Sequence, residues 1–286
     1  MASTVADGFR TYLRWKTPSD AERAAAAKHR ESIETALKNG MGLRRFVQIG
    51  SFRHGTAVSS WSDVDYLASL PGDRPASSDT ALRNVRSVLS ARYPTTVVKI
   101  RRPAVVVEFA SGKETYEIIP AYLKRGQSDD RVYAIPGRVD EWIETAPDAH
   151  RRWINSKNES PSGGAKGLAR LLKAWKYVRN VPISSFYLEM RAAEYMAEEK
   201  SIVWSIDMHN VLLRLLGHSL AAMNDPTGHT GRIHACSSSQ RDDALSKLDT
   251  AYVRAKRARE AEKEERIAAA FEAWDALFAG GFPSYS

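Results

Sequence analysis

The chain has 286 residues, 43% hydrophobic and 27% charged, with a formal net charge of +8, which suits one two-lobed body or two domains around a sizeable core. A single cysteine, Cys236, excludes an internal disulfide and fits a reducing compartment. The opening MASTVADGFRTYLRW has no apolar core of a secretory signal, and no run reaches the roughly 18–20 apolar residues of a membrane span, so a cytoplasmic protein without a membrane partner is expected.

Residues 19–39 carry a helix signal: Ser19 and Glu22 form a capping box, alanines follow, and Asn39-Gly40 is a stop. RRFVQI (44–49) reads as a strand ending at Gly50, and VDYLASL (64–70) as a second, closed by Pro71-Gly72. Residues 78–91 are helical. TTVVKI (95–100), AVVVEFA (104–110) and TYEIIPAY (115–122) are β-branched strands, separated by Arg101-Arg102-Pro103 and by a turn at Ser111-Gly112-Lys113. Beyond 138 the spacing becomes helical, over 138–145, 163–180, 184–199, 205–222 and 239–278. The expectation is an α+β chain: a sheet lobe over 1–137 and a helical lobe over 138–286, packed without a flexible linker. The charged run AKRAREAEKEER (255–266) reads as the solvated face of a long helix.

One stretch asks for more than folding does. In IGSFRHGTAVSSWSDVDYL (49–67) a strand ends at Gly50, and Ser51 offers an amide and a hydroxyl in a turn suited to phosphate. Asp63-Val64-Asp65 then opens the next strand. Residues i and i+2 share a strand face, so two carboxylates stand together while Val64 turns to the core. A divalent cation resolves that repulsion, since Mg²⁺ takes one or two carboxylates together with substrate phosphates. A third carboxylate would complete a two-metal site. Glu108 and Glu117 both lie in apolar strands, where an unpaired acid is costly, and both qualify. The positive charges are spread along the chain, which suits an anionic partner such as a nucleoside triphosphate and equally an ordinary solvated surface. His229, His234 and Cys236 are close in sequence but too few for a four-ligand zinc site.

Gly-Ser, a spacer, then acid–apolar–acid resembles the signature of the polymerase-β-like nucleotidyltransferases. YEIIPAY, RVYAIPGRVDEWIETAPDAHRRWINSKN, LARLLKAWKYVRNVPISSFYLE, NDPTGHTGRI and AWDALFAGGFPSY resemble, in order and spacing, the bacterial cGAS/DncV-like nucleotidyltransferases, the CD-NTases or SMODS-domain proteins. The likeness runs from about residue 40 to the end. It implies a polymerase-β-like sheet lobe packed on a helical lobe with a central cleft. It also implies that Glu117, in Glu-Ile-Ile-Pro-Ala, is the third acid, with Glu standing where Asp is usual. Lys173 is implied to reach the triphosphate and Ser185 to contact phosphate, with Phe186 or Tyr187 stacking on a base. The implied cofactor is a pair of Mg²⁺ ions on Asp63, Asp65 and Glu117, Mn²⁺ substituting. The implied activity joins nucleoside triphosphates into a cyclic di- or oligonucleotide second messenger, releasing pyrophosphate. In the family this product acts on a separate effector protein in anti-phage (CBASS) signalling. A monomer is expected, and nothing visible requires a nucleic-acid activator. The rivals are a linear or tail-adding polymerase on the same scaffold, transfer of a nucleotide to a protein or small-molecule hydroxyl, and a catalytically silent nucleotide binder.

Overall fold

A computed structural model describes residues 2–112, 114–159 and 163–286; Lys113, the last residue of the expected turn, lies outside the described residues. The elements in chain order are α1 (Val5–Lys16), α2 (Asp20–Lys28), α3 (Arg30–Met41), β1 (Arg45–Gln48), α4 (Gly50–His54), β2 (Val64–Leu70), α5 (Ser78–Arg92), β3 (Val97–Arg101) and β4 (Ala104–Phe109). They continue with β5 (Glu114–Arg125), β6 (Val132–Pro136), β7 (Trp142–Thr145), α6 (Pro147–Asn158), α7 (Ala165–Val178), α8 (Ser185–Glu198) and α9 (Trp204–Gly217). A short hairpin, β8 (Met223–Asn224) with β9 (Arg232–Ile233), precedes α10 (Arg241–Lys263) and α11 (Ile267–Leu277).

β1 to β7 form one mixed sheet with the path β1-β2-β5-β4-β3; β6 pairs with β5, and β7 with β6. Among the described residues of this sheet only β2 and β5 run parallel, with Asp65 beside Glu117 and Leu67 beside Ile119. Tyr122 pairs with Leu70 on one side and Ala134 on the other, so β6 continues the edge of β5 that β4 occupies earlier. Strand alternation sorts the faces. Tyr66, Val105, Val107, Tyr116 and Ile118 pack under Ile33, Leu37, Leu82 and Val85 of α3 and α5. Leu67 and Ile119 belong to the opposite face, with Val47, Ala121 and Tyr133. Asp65 and Glu117 share the parity of Leu67 and Ile119, so they leave the sheet on the face turned away from α3 and α5.

The second core is helical. Leu168, Leu172 and Trp175 of α7 pack with Leu188 and Met196 of α8, Leu212 of α9, Leu248 of α10 and Trp274 of α11. α1 joins this core and not the sheet's. Its Phe9 meets Trp274 edge-on at 4.8 Å, and its Tyr12 lies 4.3 Å from Phe278. Burying an aromatic of this size contributes roughly 1.5–3 kcal/mol, which holds the start of the chain against its end.

Several expected elements change. The helix expected over 19–39 breaks at His29, which stacks on Phe109 at 3.7 Å and donates its backbone N–H to Tyr116 Oη at 3.4 Å. The Tyr116 and Tyr66 hydroxyls in turn donate to Ala25 O and Ala26 O, so the sheet satisfies the carbonyls at the end of α2. Residues 138–145 are not helical: Trp142–Thr145 is strand β7, whose residues pair with Tyr133–Pro136. Asp140 in the intervening turn accepts from the Ser77 and Ser78 hydroxyls and from Asp79 N at the start of α5, and Glu144 pairs with Arg125 at 2.8 Å. Those partners are distant in sequence, so local spacing cannot reveal them. The 239–278 helix divides at Glu265, whose φ is +58°. α1, β6, α6 and the β8–β9 hairpin are not anticipated by the pattern reading, and helix α4 stands where a turn is expected at Gly50-Ser51.

Candidate active site

Between the sheet face that carries Asp65 and Glu117 and helices α6, α7 and α8 lies a cleft of about 530 Å³. Gly50, Ser51, Asp63, Asp65 and Glu117 line one side, and Lys173, Lys176, Ser185 and Phe186 the other. The structure therefore brings the two halves of the expected site together.

Gly50 begins α4 at φ +62°, and a Cβ built on it would stand 2.1 Å from Asp65 Oδ2. The glycine is required twice, for its left-handed backbone and for the space the carboxylate occupies. Burial pushes the carboxyl of Asp65 well above its ordinary range, and the adjoining Glu117 and Asp63 charges add to this. Asp63 is raised for the same reasons, burial first and Glu117 second. Glu108 is elsewhere, paired with Lys99 at 2.5 Å across the β3–β4 ladder. Three carboxyls brought together on one side of the cleft form a donor set suited to a hard divalent cation. Among the described residues, however, no three His, Cys, Asp or Glu side chains form a ready-made metal cage. Arg101, at the end of β3, donates from Nη2 to Asp63 Oδ2 at 2.6 Å and also to Glu117 Oε1.

Lys173 lines the cleft, but its ammonium is already paired. Its side chain is 0% exposed. Its ammonium donates to Glu189 Oε1 at 2.6 Å and to Thr56 O at 3.0 Å. Glu189 also accepts from Thr56 Oγ1 at 2.8 Å and lies 2.8 Å from His54 Nδ1. Burial raises the Glu189 carboxyl, but the Lys173 ammonium and the His54 hydrogen bond outweigh it and hold the carboxyl below its ordinary range. This network ties α7 and α8 to the end of α4. Lys176, one turn further along α7, also lines the cleft, and no described carboxylate pairs with it. It donates to Ser185 Oγ at 2.7 Å and lies 4.9 Å over the Tyr177 ring. Burial, then the charge of Lys173, push its ammonium down to about 8.

The aromatics divide as well. Tyr187 is fully buried in the helical core, and its hydroxyl donates to Ala221 O at 2.9 Å; it does not face the cleft. Phe186 lines the cleft, edge-on to His150 at 4.9 Å. His150 Nε2 lies 3.2 Å from Asp225 Oδ2, and Asp225 also accepts from the backbone and hydroxyls of Thr227 and Thr230. The NDPTGHTGRI segment thus braces the wall of the cleft that carries Phe186. Burial raises the Asp225 carboxyl, but His150 and these threonine donors hold it well below its ordinary range. At the mouth, Trp61, 47% exposed, stacks on Tyr177 with centroids 5.5 Å apart and planes 6° apart. On the rim behind α4, Asp148 of α6 accepts from Arg45 at 2.7 Å and from Arg53 at 2.9 Å, joining the lobes.

Sequence reasoning misses Trp61, Arg101, His150, Lys176 and Tyr177. Lys176 and Tyr177 fall on the same helical face as Lys173, three and four residues on, so periodicity could have raised them. Arg101 carries no local signal, because its partners, Asp63 before β2 and Glu117 in β5, are distant in sequence.

The Second Messenger Oligonucleotide or Dinucleotide Synthetase domain family matches residues 3–158. A probable cyclic nucleotide synthase of Bacillus cereus (strain VD146) is 19% identical over 331 aligned positions, covering 100% of this chain and 99% of the relative. The structure of Escherichia coli MS115-1 CdnC with ATP superposes with a TM-score of 0.78 at 18% identity, covering 98% of this chain and 99% of that one. Vibrio cholerae DncV cyclic AMP-GMP synthase, in complex with a linear intermediate, superposes with a TM-score of 0.74 at 12% identity, covering 99% and 97%. A family match over more than half the chain, on a fold that carries Gly50-Ser51, Asp63 and Asp65 in one cleft, places this protein among the Second Messenger Oligonucleotide or Dinucleotide Synthetases, the CD-NTase nucleotidyltransferases.

Proposed function

We propose that this chain joins nucleoside triphosphates into a cyclic di- or oligonucleotide in a reaction dependent on divalent cations. The observation that carries the reading is the convergence of Asp63, Asp65 and Glu117 on one wall of a cleft whose other wall presents Lys176 and Ser185. Two Mg²⁺ ions, or Mn²⁺ in their place, would be held by Asp63, Asp65 and Glu117, lowering the pKa of an acceptor ribose hydroxyl and offsetting the charge on the triphosphate. The chain's own groups position and neutralise. Gly50 leaves room for the Asp65 carboxylate, and the Ser51 amide and hydroxyl face the phosphates. The Lys176 ammonium, relayed to Ser185 Oγ, offsets triphosphate charge from the opposite side. Phe186, Tyr177 and Trp61 offer rings on which bases stack, roughly 1–3 kcal/mol per base. The hydroxyl then attacks the α-phosphorus in line, the P–O bond to the β-phosphate breaks, and pyrophosphate leaves. A second turn in the same cleft closes the ring. The product would act on a separate effector in cytoplasmic anti-phage signalling.

Arg101 seated between Asp63 and Glu117 favours one second reading, a catalytically silent nucleotide binder. Incubation with four labelled nucleoside triphosphates in Mg²⁺ or Mn²⁺, followed by phosphatase, separates the two. Short phosphatase-resistant products that vanish in Asp63→Asn/Asp65→Asn support cyclic synthesis. Long ladders would move the assignment to a linear polymerase. Retained nucleotide binding without product in either metal would favour the silent binder.

A further inference from the structure

The cleft holds one cation where the proposed chemistry needs another. Arg101 closes β3, the terminal strand of the sheet path, and its side chain is 52% exposed. Its Nη2 bridges Asp63 Oδ2, in the residue before β2, and Glu117 Oε1 in β5. The neighbouring arginine behaves differently. Arg102 points behind the turn, donating to Gly137 O and pairing with Asp79 of α5, so it fastens the strand end to the lobe body. Arg101 has no such anchor: its described partners are the two acids alone.

We infer that Arg101 is a resting counter-ion for the Asp63–Glu117 pair and that a divalent cation must displace it to enter the site. The inference rests on the metal-dependent reading above and extends it to how the site is kept closed. A positive charge between two neighbouring carboxylates offsets their repulsion, and a guanidinium matches carboxylate geometry. The same guanidinium excludes a metal, because both compete for the same oxygens. Its half-exposed side chain and position at the strand end let it withdraw into water with little loss of packing. No described hydrogen bond joins Arg101 to Asp65, whose carboxyl lies beside Glu117 in the β2–β5 register.

The test is Mn²⁺ binding to the purified chain without nucleotide, read as loss of the free-ion electron paramagnetic resonance signal, for wild type, Arg101→Gln, Arg101→Lys and Asp65→Asn. Breaking one charge-assisted contact before the metal seats corresponds to about a tenfold loss of affinity. Arg101→Gln should therefore bind Mn²⁺ about tenfold more tightly than wild type, with Arg101→Lys between them. Thermal melting gives a second readout. Without metal, Arg101→Gln should melt below wild type, because the carboxylates lose their counter-ion; added Mn²⁺ should raise its melting temperature more than it raises that of wild type. Equal Mn²⁺ affinity in wild type and Arg101→Gln, with loss in Asp65→Asn, overturns the counter-ion role and leaves the metal site standing. No Mn²⁺ binding in any variant overturns the metal-dependent reading and the inference with it.

Discussion

Replacing Lys173 by Met separates the structural assignment of this lysine from the one its motif implies. The change keeps most of the aliphatic stem and removes the ammonium. Glu189 is then left buried, with His54 and the Thr56 hydroxyl as partners, and Thr56 O loses its donor. Deleting one partner of a buried ion pair costs about 3–5 kcal/mol. At roughly 2–4 °C per kcal/mol for a large domain, the melting temperature should fall by about 6–20 °C. Urea unfolding followed by circular dichroism measures the same quantity. Because the folded Glu189 carboxyl titrates below its unfolded value, its contribution is complete above the unfolded value near ~4.3 and is lost as pH falls toward the folded one. The difference between wild type and variant should therefore be flat from pH 6 to 8 and shrink only in acid. A Lys173→Met protein that melts with wild type while its KM for nucleoside triphosphate rises about a hundredfold would refute this reasoning, since the ammonium would then belong to the triphosphate.

Lys176→Gln should give the opposite pattern: a melting temperature near that of wild type and a KM for nucleoside triphosphate raised roughly tenfold to a hundredfold. The folded Lys176 ammonium titrates at about 8, below its unfolded value, so the charge that meets phosphate is present below that pH and lost above it. Wild-type kcat/KM should fall as pH rises through about 8, a limb that Lys176→Gln lacks. The same sign means that Lys176 opposes folding below about 8 and that this opposition fades at higher pH. Gly50→Ala should combine backbone strain of about 1–3 kcal/mol with displacement of Asp65, lowering kcat by about a hundredfold. Gly72→Ala is its control, because that residue has φ +73° with nothing within 4 Å of a built Cβ; it should show the stability loss alone.

The reactive wall was legible because it is local. Gly50-Ser51 and Asp63-Val64-Asp65 lie within one short stretch between β1 and the start of β2, so the acid pair and the glycine are read from adjacent residues. The choice between Glu108 and Glu117 was not local. Both are acids in β-rich runs, and only the parallel register that sets Glu117 beside Asp65, with Lys99 taking Glu108, separates them. The resemblance to relatives pointed to the same residue.

The helical wall shows the limit of pattern. Lys173 and Lys176 lie on one face of α7, so composition and spacing treat them alike; the buried Glu189 on another helix takes the first and leaves the second to the cleft. The break at His29 depends likewise on Phe109 and Tyr116, and strand β7 on its pairing with β6, partners that no window of the chain contains. By itself the sequence determined the α+β class, most of the element order and the carboxylate–glycine wall, because hydrophobic period, turn chemistry and adjacent acids are short-range properties. Only the tertiary structure decided which lysine a buried carboxylate takes, which rings line the cleft and that Arg101 sits on Asp63 and Glu117, because each depends on which distant charge or ring the fold brings alongside.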